Sequence, residues 1–192
     1  MGGFFGTISK RDCVLDVFFG TDYHSHLGTK RGGMAIYDAE ADKFERQIHN
    51  IENTPFRTKF ENDLIKFRGH AGIGCISDTD PQPLLVRSHL GMFAIATVGL
   101  INNAEKLVEE AFSGPGHQFM AMSSGKVNTT ELTAALINQK DNLVDGIRHA
   151  QTTIDGSCTI LLLTTDGLIA ARDRLGRVPV LVGQSLEGCC VS

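Results

Sequence analysis

Three short stretches of this sequence carry residue types that do chemistry. In Asp22-Tyr23-His24-Ser25-His26 two imidazoles stand two residues apart. On a strand they would share a face and could hold zinc or relay a proton. Zinc asks for further ligands nearby, and none is close in sequence. The competing reading, ordinary hydrogen-bonded histidines at a helix start or in a loop, therefore carries more weight. Cys75 lies in an apolar run and would need a base to become a nucleophile. His70 is the nearest base in sequence, but five residues of extended chain would put the two side chains on opposite faces about 16 Å apart. A structural thiol follows. The turn Ser77-Asp78-Thr79-Asp80-Pro81 offers two carboxylates to a cation, yet Asp and Pro are also what a tight turn requires, and no third carboxylate is in reach. The turn is the favoured reading.

The remaining reactive residues form no recognised set. Cys13, Cys75, Cys158, Cys189 and Cys190 are an odd number without Cys-x-x-Cys spacing, so they read as reduced, mostly buried thiols. Gly114-Pro115-Gly116-His117 and Ser124-Gly125-Lys126 suggest phosphate loops, but neither has the Gly-x-x-x-x-Gly-Lys-Ser/Thr pattern. No cofactor or metal is expected.

A series of motifs in a fixed order says more. Met1-Gly2-Gly3-Phe4-Phe5-Gly6 opens the chain, followed by Leu27 to Gly32 and the apolar run Gly33 to Asp38. Then come Ala71-Gly72-Ile73-Gly74, Gln82-Pro83-Leu84, Ala94 to Asn103, Asp155-Gly156-Ser157, Asp166 to Asp173, and Gly176 to Pro179. Together they resemble the class II glutamine amidotransferases, and most of all the glutaminase half of amidophosphoribosyltransferases, over nearly the whole chain. The resemblance implies an N-terminal cysteine, exposed by removal of the initiator Met, whose thiolate attacks the glutamine amide while its own α-amino group acts as base. Gly2 stands where that cysteine is expected. The resemblance also implies an oxyanion-hole asparagine, here Val98, which leaves Gly99 to offer only a backbone N–H. The arginine for the substrate carboxylate falls near Ser77 or Asp78, and the acid for its ammonium group falls at Thr129. Of the implied glutamine-binding set only Arg31 survives. One lost oxyanion donor costs ~10²–10³ in rate, and a missing nucleophile removes the covalent route, so the expected glutaminase activity is none. These losses occur together, the pattern of a natural site that has decayed.

The elements that must position these residues are legible as short apolar runs bounded by Gly, Asp or Pro. Strands are expected over 4–9, 33–37, 71–76, 93–100, 157–164, 168–172, 178–183 and 188–191, with a tight Asp166-Gly167 turn joining the fifth and sixth. Helices are expected over 13–27, 103–112, 129–138 and 143–150, with Asn102 or Asn103 capping the second and Asn128 or Thr130 the third. Such blocks suit an α+β fold of two stacked sheets covered by helices. The resemblance names it as the four-layer αββα sandwich of N-terminal-nucleophile hydrolases, and residues 1–192 as one domain. The linker-like stretches 113–116 and 123–126 fall where the resemblance implies a lid over glutamine.

Bulk properties narrow the partners. Charged residues are 21% and the net charge is −4, which gives no footprint for nucleic acid. No apolar run is long enough to span a membrane, and the start lacks a signal peptide's basic and apolar regions, so a cytoplasmic protein without membrane partners is expected. The Met-Gly start is short of a myristoylation signal, because position 6 is Gly6 rather than Ser or Thr. Two readings of function stay open. In one the chain is the N-terminal part of an amidophosphoribosyltransferase-like protein of purine biosynthesis, partnered by a C-terminal phosphoribosyltransferase domain. In the other it is a stand-alone pseudoenzyme, a scaffold or small-molecule sensor. A homo-oligomer is compatible with both.

Overall fold

A computed structural model describes residues 2–113, 119, 122, 123 and 125–192 of the chain. Two antiparallel sheets stack face to face, and helices cover both outer surfaces. The larger sheet holds β1 (Gly2–Ser9), β2 (Arg31–Asp38), β3 (Lys43–Asn50), β4 (Ala71–Ser77), β11 (Val182–Gln184) and β12 (Gly188–Val191), in the order β11-β12-β1-β4-β2-β3. The smaller holds β5 (Leu84–Ser88), β6 (Gly91–Ile101), β9 (Gly156–Thr164) and β10 (Leu168–Ala171), in the order β10-β9-β6-β5. A two-stranded ribbon, β7 (Met122–Ser123) with β8 (Lys126–Val127), stands apart. The outer layers are α1 (Val14–Tyr23) and α2 (Phe56–Phe60) on the larger sheet, and α3 (Ala104–Phe112), α4 (Thr129–Ile137) and α5 (Leu143–Thr153) on the smaller.

Three apolar layers hold these four together. Between the sheets, the inward residues of alternating strands meet: Phe4, Ala35, Ile73 and Cys75 from one side, Ala94, Ala96, Leu161 and Leu163 from the other. Val17, Phe18, Met34, Ile36, Phe56 and Ile76 fill the layer under α1 and α2. Phe93, Ile95, Ile160 and Leu162 pack beneath α3–α5. Strands buried on both faces read as continuous apolar runs, which is why β4, β6 and β9 are so plain in the sequence.

Several expected elements need correction. The helix expected over 13–27 ends at Tyr23, and His24–Leu27 form a 3-10 turn before Gly28 becomes extended. The strand expected over 178–183 is only Val182–Gln184. Pro179 cannot donate to a ladder, and Val178 and Val180 instead pack onto the layer between the sheets. The β9–β10 hairpin forms, but its two-residue loop is Thr165-Asp166 rather than Asp166-Gly167. Thr164 N donates to Gly167 O at 2.8 Å, while Thr164 Oγ1 accepts from Asp166 N and Gly167 N, both at 3.1 Å. The hydroxyl braces the turn, and Gly167 at φ +145° supplies a backbone conformation that favours glycine. The fourth helix continues to Thr153, and β3, α2, β5, β7, β8 and a 3-10 turn over Glu61–Lys66 were not expected. The possible phosphate loop at 114–117 and half of the lid stretches, residues 114–116 and 124, lie outside the described residues.

The unexpected segment 43–66 is tied down by one buried carboxylate. Asp63 Oδ2 lies 2.5 Å from His49 Nε2, and Lys66 Nζ donates to its Oδ1 at 2.5 Å, joining β3 to the 3-10 turn. Burial opposes the carboxylate charge, but the hydrogen bonds from Lys66 and His49 outweigh it and hold the Asp63 carboxyl below its ordinary value. A lowered folded pKa stabilises the fold at pH values above the unfolded value near 4, and that contribution is lost as pH falls through the folded one. Asp63→Asn should therefore cost about 1–3 kcal/mol at neutral pH. Urea melts as a function of pH test this: the gap between wild type and variant should close below about pH 4, and a gap independent of pH would contradict it.

Candidate functional site

One end of the space between the sheets gathers most of the residues singled out from the sequence. Gly2 of β1 pairs with Ser77 of β4, which pairs with Arg31 of β2, so the three form one row across the larger sheet. Strand alternation turns this row toward the smaller sheet, on the same face as Phe4, Cys75 and Ala35. Gly2 and Ser77 line a cavity of about 50 Å³ with Thr79, Gln82, Val98, Gly99 and Thr129, and with Thr97, Ile101, Ser157 and Cys158. Among the described residues no charged side chain lines it.

Two expected residues do not line it. The Arg31 guanidinium donates to Lys30 O at 3.2 Å. Asp78 stands just past the strand, where its Oδ1 accepts from Thr29 N at 2.7 Å. The acidic stretch thus divides by role: Asp78 fastens the turn before β2, while Asp80 is buried and its Oδ2 accepts from Thr129 N at 2.9 Å and Thr129 Oγ1 at 2.5 Å. A carboxylate at the first turn of α4 is favoured by the helix dipole. Its consequence for the cavity is direct, because the Thr129 hydroxyl is already committed as a donor.

Beneath the cavity lies a polar network that sequence reasoning missed. The β5–β6 ladder runs from Ser88↔Gly91 to Leu84↔Ile95 and then stops, since Pro83 has no N–H to offer. Gln82 continues it with its side chain. Its Oε1 accepts from Thr97 N at 2.8 Å and its Nε2 donates to Thr97 O at 3.0 Å, the two bonds that a strand residue opposite Thr97 would make. Thr130 Oγ1 also donates to Gln82 Oε1 at 3.0 Å and lies 2.7 Å from Thr97 Oγ1. Asn128 completes the join, capping α4 through Oδ1 and donating from Nδ2 to Pro81 O at 3.1 Å. The signal in the sequence was a glutamine beside a proline where an apolar strand begins, together with hydroxyls at Thr97 and Thr130 among buried neighbours.

The backbone at the cavity wall leaves no room for side chains. Gly99 has φ +153°, and a Cβ there would fall 2.0 Å from Ser157 O. At Gly2 a Cβ would fall 2.3 Å from Ile76 O. Cys75 and Cys158 are poorly suited to supply a nucleophile. Cys75 is fully buried and burial pushes its thiol far up, while His70 is exposed before the strand. Cys158 reaches the cavity but burial raises it to about 11. The paired histidines diverge: His24 Nε2 lies 2.9 Å from Ser192 Oγ and His26 Nδ1 lies 2.8 Å from Tyr23 O, ordinary hydrogen bonds both. Among the described residues no three His, Cys, Asp or Glu side chains converge on a metal position, and no helix is long and apolar enough to cross a membrane.

This architecture and sequence have known counterparts. Residues 70–192 match a family model described as a glutamine amidotransferase domain. The amidophosphoribosyltransferase of Methanocaldococcus jannaschii is 26% identical over 100% of this chain and 42% of its own length. That of Archaeoglobus fulgidus is 31% identical over 85% of this chain and 36% of its own length. Among solved structures, the glutamine phosphoribosylpyrophosphate amidotransferase of B. subtilis, complexed with ADP and GMP, superposes with a TM-score of 0.82 at 25% identity, over 100% of this chain and 41% of that one. The chain thus spans about two-fifths of the length of these relatives. Its two stacked sheets between helical layers are the αββα sandwich of the N-terminal-nucleophile type.

Proposed function

The chain belongs to the glutamine amidotransferase domain family, and from that premise we propose that it is the glutaminase-like part of an amidophosphoribosyltransferase-type protein that no longer hydrolyses glutamine. The observation that carries this reading is Gly2. In the proposed alignment it occupies the nucleophile's position, it has an amine and no side chain, and its Cβ position is taken by Ile76 O. Without a thiol no thioester forms. Val98 replaces the oxyanion donor with a methyl-lined surface, so a tetrahedral intermediate would find only the Gly99 backbone. Ser77 and Thr129 then give the cavity hydroxyls where a zwitterionic substrate needs a cation and an anion, and Asp80 engages the Thr129 hydroxyl. In a longer protein of this type, nitrogen would reach phosphoribosyl pyrophosphate as free ammonia or from another source, and residues 1–192 would act as the packed N-terminal domain.

The uncharged lining of the cavity also fits the second reading, a scaffold or sensor with no part in nitrogen transfer. Binding separates the possibilities. Each lost charged contact removes roughly 1.5–3 kcal/mol, and two together weaken binding by about a hundredfold or more. Calorimetric titration with millimolar glutamine or glutamate should therefore give no saturable heat. Saturable binding that disappears in Arg31→Ala would contradict the degenerate-pocket reading and favour an amino-acid sensor.

A further inference from the structure

We propose that the 3-10 turn His24–Leu27 is an acid-sensitive clasp on the start of β1, closed while the His24 ring is neutral and opened when the ring gains a proton. The turn lies on the outer face of the larger sheet. Strand alternation puts Gly3 on that face, opposite to Gly2 and Phe4, and its missing side chain makes room for the clasp. A Cβ on Gly3 would fall 2.8 Å from His24 Nδ1 and 3.0 Å from Leu27 Cδ1, so the ring and the leucine rest directly on the strand's backbone. His24 Nε2 lies 2.9 Å from Ser192 Oγ, which ties the turn to the residue after β12. On its other side the chain is pinned where Thr29 N donates to Asp78 Oδ1, two residues before Arg31 begins β2. The clasp therefore joins β1, β2 and the end of β12 behind the row of Gly2, Ser77 and Arg31.

The two ring nitrogens have unequal surroundings. Nε2 has the Ser192 hydroxyl, while Nδ1 is buried with no hydrogen-bond partner among the described residues. A neutral imidazole can donate its one N–H from Nε2 and leave only a lone pair on Nδ1. A protonated ring donates from both, and its Nδ1–H would point at Gly3 and Leu27 without an acceptor. The charged neighbours do not compensate. His26, on the same turn, repels a second cation, and Tyr23 of α1 presents its ring with centroids 5.9 Å apart. Asp22 is paired with Arg57, and Asp78 past β4 accepts from Thr29 N. Burial, and after it His26, hold the His24 ring below the ordinary histidine value. A lowered folded value favours the neutral ring, so the closed turn keeps its full stability above the unfolded value of about 6.5 and loses it as pH falls below that value. His149 is also held low, yet its Nε2 lies 2.9 Å from Gln139 Oε1 and its Nδ1 3.5 Å from Thr153 Oγ1, so both of its N–H groups would find an oxygen. Nothing in the clasp depends on the chemistry of the cavity between the sheets.

Amide hydrogen exchange of the full chain, followed by NMR on either side of the ordinary histidine value of about 6.5 and corrected for intrinsic rates, tests it. Protection of the Gly3 and Thr29 amides should fall by about tenfold or more on acidification, as an unmet buried donor implies. It should stay level in His24→Gln, which keeps an N–H for Ser192 and cannot gain a proton. In the wild type the fall should also follow the titration of the His24 ring proton read in the same spectra, a check that stands if His24→Gln does not fold. Protection that stays level in the wild type overturns the proposal. So does a fall that is equal in His24→Gln, or one that follows another histidine's titration.

Discussion

Replacing Gly2 by cysteine is expected to restore a thiol without restoring glutaminase activity. Two independent reasons converge. A Cβ at position 2 falls 2.3 Å from the Ile76 carbonyl oxygen, well inside contact distance, so the start of β1 must move away from β4 to admit it. Such overpacking costs roughly 1 kcal/mol or more, at the lower end here because the strand's first residue can shift. The shift also takes the new thiol off the row shared by Ser77 and Arg31, and an ångström of displacement can itself cost a hundredfold in rate. Even a well-placed thiol would face Val98 instead of an oxyanion donor and a cavity with no charged side chain in its described lining. Glutamate production by Gly2→Cys should stay at the level of a no-protein control, with a small fall in melting temperature. Measurable turnover in this single variant would mean that the substrate contacts have been misassigned.

Gln82→Ala should be among the most destabilising single changes in the chain. Gln82 makes three buried hydrogen bonds, two to the Thr97 backbone and one from Thr130. Truncation leaves the Thr97 N–H and C=O without partners at the point where β5 has ended and nothing else continues the ladder. An unmet buried polar group costs about 1–3 kcal/mol. Two or three of them put the loss near 4 kcal/mol, which for a chain of this size lowers the melting temperature by about 10 °C. Differential scanning calorimetry reads this directly. A fall of less than about 2 °C would show that water takes over the glutamine's bonds and that the network is not what joins α4 to the end of β6.

The parts of the fold legible from residues were those where one physical demand dominates. β4, β6 and β9 are buried on both faces and could be read as apolar runs, and Asn128 before Thr130-Glu131 marked the start of α4 because few other residues satisfy free N–H groups there. β3 was invisible for the opposite reason. It is an edge strand that carries the charged residues Lys43, Glu45 and Arg46, and its more buried residues Phe44, Ile48 and His49 follow no clean alternation. The ordered motifs gave the right family, and their positions put Gly2, Ser77, Val98, Gly99 and Thr129 around one cavity. Sequence reasoning placed Arg31 and Asp78 there too. The structure turns the first toward Lys30 O and the second toward Thr29 N, since pairing between distant strands sets such directions and spacing alone does not. Gln82 and Asp80 were both named, in a motif and in an acidic turn, but their buried partners were not foreseen, because a polar residue in a turn usually has only a local role, and here their partners lie 15 and 49 residues away.

The most direct test of the central claim is the fate of glutamine labelled with ¹⁵N at its amide, incubated with the purified wild-type chain and followed by NMR. The account predicts that the amide signal persists and that ammonium appears no faster than in buffer, whether or not Met1 has been removed. Ammonium release that scales with protein concentration would contradict it, and would require a nucleophile other than a side chain at position 2.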